Sequence, residues 1–365
     1  MKVTILPENI TNYIPLLNKI LPSHSQVPIL SNIFIEAKSD GLTLKATDLE
    51  MGTEIKIPAK IEEEGAVTVP GKEFLEAIGS LPKDKIEIEV DKDIMNVKCR
   101  DTKVVFNTIS KDEFPILYKG LGEKIADFTR EEFLDIFSNL TFSVSMEDSR
   151  PQLMGVLINP VDSGVDFVST DGYRMSVRKI GGKKTEEKEG VIVAVKLINE
   201  VIALKGEGSI VLYLNKKEGQ VVFEIGDVII VGRMIEGAFP DYGRVLPKES
   251  TTTVNFEREA LFQGVKLVSV FAKDSSNIAM LSVEDKKIVI ETKTQGVGEG
   301  KAVVECEKSG EDVKIAFNIR YLMDILRNVS DKTMILKLNS NMEPALFELE
   351  KKGFSHVIMP IQVDN

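Results

Sequence analysis

Residues Val168 to Met175 read Val-Ser-Thr-Asp-Gly-Tyr-Arg-Met. A β-prone run breaks at Asp171-Gly172, two residues that tolerate a left-handed backbone and so turn readily. Beyond the turn, Tyr173 and Met175 offer large, adaptable apolar surface and Arg174 offers a planar cationic fork. Such residues dominate interface cores, and the same set also suits a strand end packed on its own domain. An earlier stretch decides what the segment belongs to. Ala46-Thr-Asp-Leu-Glu50 carries the same Thr-Asp turn 123 residues upstream (171 − 48).

The echo extends over whole domains. Pro28-Ile-Leu-Ser-Asn-Ile-Phe-Ile35 matches Pro151-Gln-Leu-Met-Gly-Val-Leu-Ile158 at that same offset. Residues 66–78, 190–202 and 314–326 also align, with Val67, Val191 and Ile315 equally spaced (191 − 67 and 315 − 191 are both 124). Related pairs end each unit: Phe114-Pro115, Phe239-Pro240 and Met359-Pro360. Solenoid repeats run to roughly 20–50 residues, so this period means three copies of a domain. In the first copy, Ile10, Ile14, Leu17 and Leu21 predict a helix over Pro7–Leu21. Strands follow at Ile29–Ala37 and Leu42–Thr47 around Ser39-Asp40-Gly41, and at Ala66–Val69. Another helix covers Lys72–Leu81, ahead of strands at Ile86–Val90, Met95–Arg100 and Lys103–Ile109. The pattern restarts at Phe128 and at Val254, with linkers near Leu117–Ala126 and Leu246–Thr253. The expectation is an α+β chain of three domains, 1–120, 127–247 and 253–365, each with two helices packed on antiparallel sheets.

Composition excludes several classes. Hydrophobic residues make up 43% and charged residues 28% of the 365, which is ordinary for a globular protein. The formal charge of −11 opposes a surface that coats nucleic acid, though a local basic lining remains compatible with it. Cys99 and Cys306 lie far apart, in no metal-ligand pattern, and suit a reducing compartment. No leader or membrane-spanning run is visible, so a cytoplasmic location is expected. His24 and His356 are the only histidines, and neither sits in a nucleophile motif. There is no phosphate loop and no metal-binding pair, so no catalytic residue, metal or cofactor is expected. Gly296-Val-Gly-Glu-Gly300 runs into a strand pattern rather than a helix and reads as a plain glycine loop.

Several motifs in order now support a resemblance: Pro28–Ile33, Ala46–Glu50, Ser169–Met175, Gly237–Tyr242 with Arg244–Pro247, and Val357–Ile361. On the threefold repeat, and over essentially the full length, the chain resembles the bacterial DNA polymerase III β subunit family, the sliding clamps. The resemblance implies the DNA-clamp fold and a head-to-tail homodimer closed into a ring. It implies a processivity role, with duplex DNA passing through the ring independently of sequence and no association with membrane. Replicative polymerase, clamp loader and repair proteins would dock by short peptide motifs in a cleft. Carried over by position, the cleft comprises Leu153, Thr170, Gly172, Tyr173, Arg174 and Met175 from the second domain. It continues with Pro240, Arg244 and Val245, then Met342, Pro344, Val357, Met359 and Pro360. Tyr173 stands where relatives commonly have His, and Ile361-Gln362-Val363 replaces a Met/Arg/Leu type of ending. The DNA-facing set is His24 and Arg150, Lys19, Lys72, Lys196 and Lys205, with Arg258, Lys266, Arg320 and Arg327. His24 stands where the family often has Arg. The ring joint is expected to pair the strand around Val104 and Phe106 with the Val270-Phe271 region of another chain.

Two rival readings stand beside this one. A hydrolase could use Asp171 and Arg174 in a pocket, and loss of turnover on changing Asp171 would mark it. A non-DNA adaptor could keep the cleft and lack the ring, which particle mass and images would reveal.

Overall fold

A computed structural model of the chain describes residues 1–181, 189–206, 208–273, 276–349 and 353–363. The chain gathers into two compact units, Met1–Phe133 with Lys196–Met234, and Leu134–Val195 with Ile235–Asn365. The middle sequence copy is therefore shared between packing units. The cause is strand pairing between successive copies, described below.

In unit 1 a five-stranded sheet runs in the order Lys60–Glu63, Lys2–Ile5, Ile86–Asp91, Ile94–Cys99, Thr102–Asn107. A second antiparallel sheet joins Glu123–Phe128, Ile210–Asn215, Gln220–Ile225 and Val228–Ile235 to Met51–Ile57, Gly41–Thr47, Asn32–Lys38 and Gly65–Pro70. The helix Gly71–Ser80 buries Phe74, Leu75 and Ile78, the 3–4 spacing that makes one apolar stripe. The helix expected over Pro7–Leu21 is instead two pieces, Glu8–Thr11 and Ile14–Ile20. Pro15 explains the break: it has no N–H to continue a helix and suits a first turn. The strand Met51–Ile57 was not anticipated, although Thr53, Ile55 and Ile57 alternate inward along it.

Unit 2 repeats the plan. One antiparallel sheet runs Val191–Ala194, Gly155–Val161, Gly164–Thr170, Arg174–Gly181, Phe354–Ile358, Ala345–Glu348, Thr333–Leu338, Thr252–Glu257. The long strand Gly298–Ser309 pairs with Thr252–Glu257 at its end and with Lys287–Thr294 along residues 298–305. Ile278–Glu284 and Val313–Asn318 complete that second sheet. Helices Arg258–Ala272 and Ile319–Asn328 cover a core that includes Leu261, Val265, Leu322 and Ile325. The Gly296–Gly300 stretch is the hairpin into Gly298–Ser309, as the strand pattern required.

The same join occurs once in each unit. Met51–Ile57 pairs with Val228–Ile235, and Arg174–Gly181 pairs with Phe354–Ile358, with Met51 opposite Gly232 and Arg174 opposite Ile358. Beyond each ladder the next N–H donates to the turn: Arg233 to the Glu50 carbonyl at 3.1 Å, Met359 to the Tyr173 carbonyl at 2.9 Å.

Candidate functional site

The Thr-Asp turn seen twice in sequence is one structure built twice. In unit 2 the Asp171 carboxylate accepts from the N–H groups of Tyr173 (2.9 Å) and Arg174 (3.0 Å), and Gly172 N–H donates to Thr170 Oγ1. In unit 1 Asp48 accepts from Glu50 and Met51, and Leu49 N–H donates to Thr47 Oγ1. The residue after each Asp takes positive φ, +93° at Gly172 and +75° at Leu49. Glycine adopts that conformation freely, whereas Leu49 adopts it under strain. Asp171 also accepts from Arg174 Nε at 3.0 Å, so its oxygens are committed to the turn and not to chemistry on a substrate.

Arg174 is buried and fully engaged. Its other nitrogens donate to Asp324 (2.6 Å) and to the Phe142 carbonyl (2.7 Å), and its guanidinium lies 4.5 Å from the Tyr321 ring centre. Behind it runs a buried polar chain. Ser143 Oγ lies 2.6 Å from Ser169 Oγ and 2.9 Å from Ser176 Oγ, which lies 2.8 Å from His356 Nδ1. Among the described residues His356 Nε2 has no hydrogen-bond partner, and burial first, then the Arg174 charge, hold the imidazole far below its ordinary pKa.

On the other face of this sheet lies an open cavity of about 1020 Å³ within unit 2. Of the expected cleft residues, Thr170, Gly172, Tyr173, Arg174, Met175, Pro240, Arg244, Val245, Pro344, Val357 and Met359 line it. Leu153 does not; it is buried under its own short helix. Met342 and Pro360 also fall outside the lining, Met342 on an exposed loop. Sequence reasoning missed Phe239, Tyr242, Leu246, and a polar end with Lys248, Glu249, Asn339 and Glu343. Asn339 was findable, since it stands one period beyond Asn215 (339 − 215 is 124). Both side-chain amides donate to the passing linker, Asn215 to Gly120 and Asn339 to Glu249.

The basic set divides. Arg258 is a helix clamp rather than a free cation: its guanidinium donates to the Leu326 and Asp331 carbonyls and to Glu259. Arg130 does the same to Val201, Ile202 and Leu204, which marks a repeated C-terminal cap. Lys19 is ion-paired at 2.6 Å with the buried Glu200, and Arg150 with Glu147 at 2.8 Å. Arg150 lies against the cleft turn, 3.0 Å from where a Gly172 side chain would begin. His24, Lys72, Lys196, Lys205, Lys266, Arg320 and Arg327 are exposed. Lys72, Lys196 and Arg320 occupy the second position of equivalent helices.

At the expected joint, Phe106 is 8% exposed and packs edge-on against Phe74, and Val104 is half-buried. The outward residue of that strand is Val105, 51% exposed. Val270 is exposed on its helix, whereas Phe271 packs beneath Gly298 and Gly300.

Repeated sheets joined by one kind of ladder, with an apolar groove beside the last ladder, define a three-domain clamp fold. Models of the DNA polymerase III beta subunit match its N-terminal domain at residues 1–118, its central domain at 127–241 and its C-terminal domain at 243–362. The chain belongs to the DNA polymerase III beta subunit family. It is similar to the beta sliding clamps of Synechococcus elongatus (28% identity, 100% of both chains) and Chlamydia muridarum (27%, 100% and 99%). The beta subunit of Streptococcus pyogenes DNA polymerase shares the fold at a TM-score of 0.94 over 100% of both chains, with 23% identity. The sliding clamp of Bartonella birtlesii, solved bound to griselimycin, superposes at 0.92 over 100% of both chains with 25% identity.

Proposed function

We propose that the protein is a DNA sliding clamp, a processivity factor that encircles duplex DNA as a head-to-tail homodimer and tethers polymerase, loader and repair proteins by peptides in the unit 2 cleft. The observation that carries this is the pair of strands left over by the internal repeat. Strands 51–57 and 174–181 find their partners in the next copy, and the third copy's counterpart is residues 298–305. Strands 228–235 and 354–358 are the receiving partners, and the first copy's counterpart is Thr102–Asn107. Among the described residues, both leftovers pair on one side only. Val105 is exposed because it is the copy of Val231 and Val357 without a neighbouring strand. A second chain supplies that neighbour, and a two-ended contact that closes makes a ring instead of a fibre.

The basic pattern supports a weak lining. A cation at a helix N-terminus opposes the helix dipole, so Lys72, Lys196 and Arg320 serve something other than helix stability. Phosphate contacts are sequence-independent, and a few of them suffice for a ring that holds DNA by topology.

Topology is testable. Free protein should bind a short linear duplex weakly. After a clamp loader places it on nicked circular DNA it should persist through a salt wash, leave quickly when the circle is cut, and stay when both new ends are blocked. Equal retention on open linear and circular DNA would falsify the ring. The adaptor reading would instead leave the protein unloaded on DNA.

A further inference from the structure

The two ladder joins allow an internal comparison of what covers the groove beside each. In unit 1 the linker lies flat. Leu117 is 8% exposed on Val222 and Val231 and abuts Gly52, and its carbonyl accepts from Gln220 Nε2 at 2.8 Å. In unit 2 the floor positions matching Gly52 and Val231 are Met175 and Val357, and they line the open cavity. The second linker is longer: Asn215 holds Gly120, six residues past Phe114, whereas Asn339 holds Glu249, ten past Phe239.

The residue matching Leu117, third after the shared phenylalanine, is Tyr242. Its hydroxyl accepts from Asn159 Nδ2 at 2.8 Å and donates to the buried Asp166 carboxylate at 2.9 Å. Asn159 and Asp166 face each other across one ladder. The matching pair in the first copy is Glu36 opposite Thr43, and the leucine that stands in the place of Tyr242 has no hydroxyl to tether. Burial pushes the Tyr242 phenol up, so it stays protonated and donating at neutral pH.

We propose that Tyr242 is a positioning residue, tethered to Asn159 and Asp166, that fixes the linker wall where it packs against the apolar cluster containing Met175 and Val357 and so keeps the cavity beside it open. In the absence of the tether the wall closes further over Met175 and Val357, as Leu117 does on its own floor. This rests on the reading of the cleft as a peptide site.

The test is a double-mutant cycle on the full-length protein, read as affinity for a peptide copy of the cognate replicative polymerase tail. Tyr242→Phe and Asp166→Ala should each lower affinity about fivefold, and the pair together should lower it no further. Asp166 lies outside the cleft lining, so its effect has to pass through Tyr242. Asp166→Asn, which keeps an acceptor, should retain affinity, and thermal midpoints will show whether each variant is folded. The latch is overturned if Asp166→Ala leaves affinity unchanged, if the two losses add, or if both variants bind as well as the parent. A parent protein that ignores the tail peptide removes the peptide-site reading itself, a different result from a binding parent with indifferent variants.

Discussion

Arg174 shows how much one side chain can be asked to hold. It reaches the cleft wall, yet its guanidinium is directed into Asp171, Asp324, the Phe142 carbonyl and the Tyr321 ring. Diagonal to it across the ladder, His356, the partner of Ser176, is buried neutral. The folded pKa is lowered and the unfolded one is about 6.5, so the unfolded chain binds the extra proton. The neutral ring's stabilisation is full above pH 6.5 and is lost as pH falls toward the folded value, by up to about 1.4 kcal/mol per unit. Between pH 7 and 5 the unfolding free energy should therefore fall less steeply in His356→Met than in the parent; parallel slopes would rule this out. Tyr173 and Met359 are the large apolar residues of the lining that are exposed, at 57% and 38%. Replacing both with alanine should weaken a polymerase-tail peptide by about 2–4 kcal/mol, measured by calorimetry, with little change in stability. Unchanged affinity would remove them from the site.

At the scale of elements, local chemistry was legible in the sequence and long-range chemistry was not. The Thr-Asp turn could be read twice because every bond in it spans four residues or fewer. Arg258 read as a free cation because its partners, the carbonyls at the end of the next helix, lie 68 and 73 residues on. The ion pair of Lys19 was illegible for the same reason, since Glu200 is brought to it only by folding. The cleft wall escaped because it depends on linker length, and periodicity does not register a four-residue difference between loops. Arg258→Ala should cost about 2 kcal/mol in urea unfolding, because it leaves helix-end carbonyls without donors. In the first linker, Leu117→Ala should cost about 2–3 kcal/mol, while Ile116→Ala, 77% exposed next door, should stay within about 0.5. Equal effects would mean that Leu117 does not plug the groove.

For the whole molecule, the repeat that revealed three copies would also set the register of the contact between chains in the proposed ring. Met51 lies opposite Gly232, and Arg174 lies opposite Ile358. Carried to the leftover strands of the proposed ring, that register would put Phe106 opposite Gly298 of a second copy, and Lys103 opposite its Lys301. Both lysines are exposed, and the native cysteines are buried. A Lys103→Cys, Lys301→Cys protein should therefore cross-link into covalent dimers on mild oxidation, and each single variant should stay uncrosslinked on a denaturing gel. A double variant that gives no dimer at micromolar protein would remove the register.

Under the proposed function the plugged groove would also govern traffic. Leu117 closes one of two look-alike grooves, so each chain would seat one guest peptide at a time, and the proposed two-chain ring two. Guests that need that seat displace one another instead of sitting side by side. Their order of service then follows residence time and the crowd of waiting candidates near the seat, more than preference for separate docks. On that reading, a single leucine in a linker turns a scaffold with repeated surfaces into a queue.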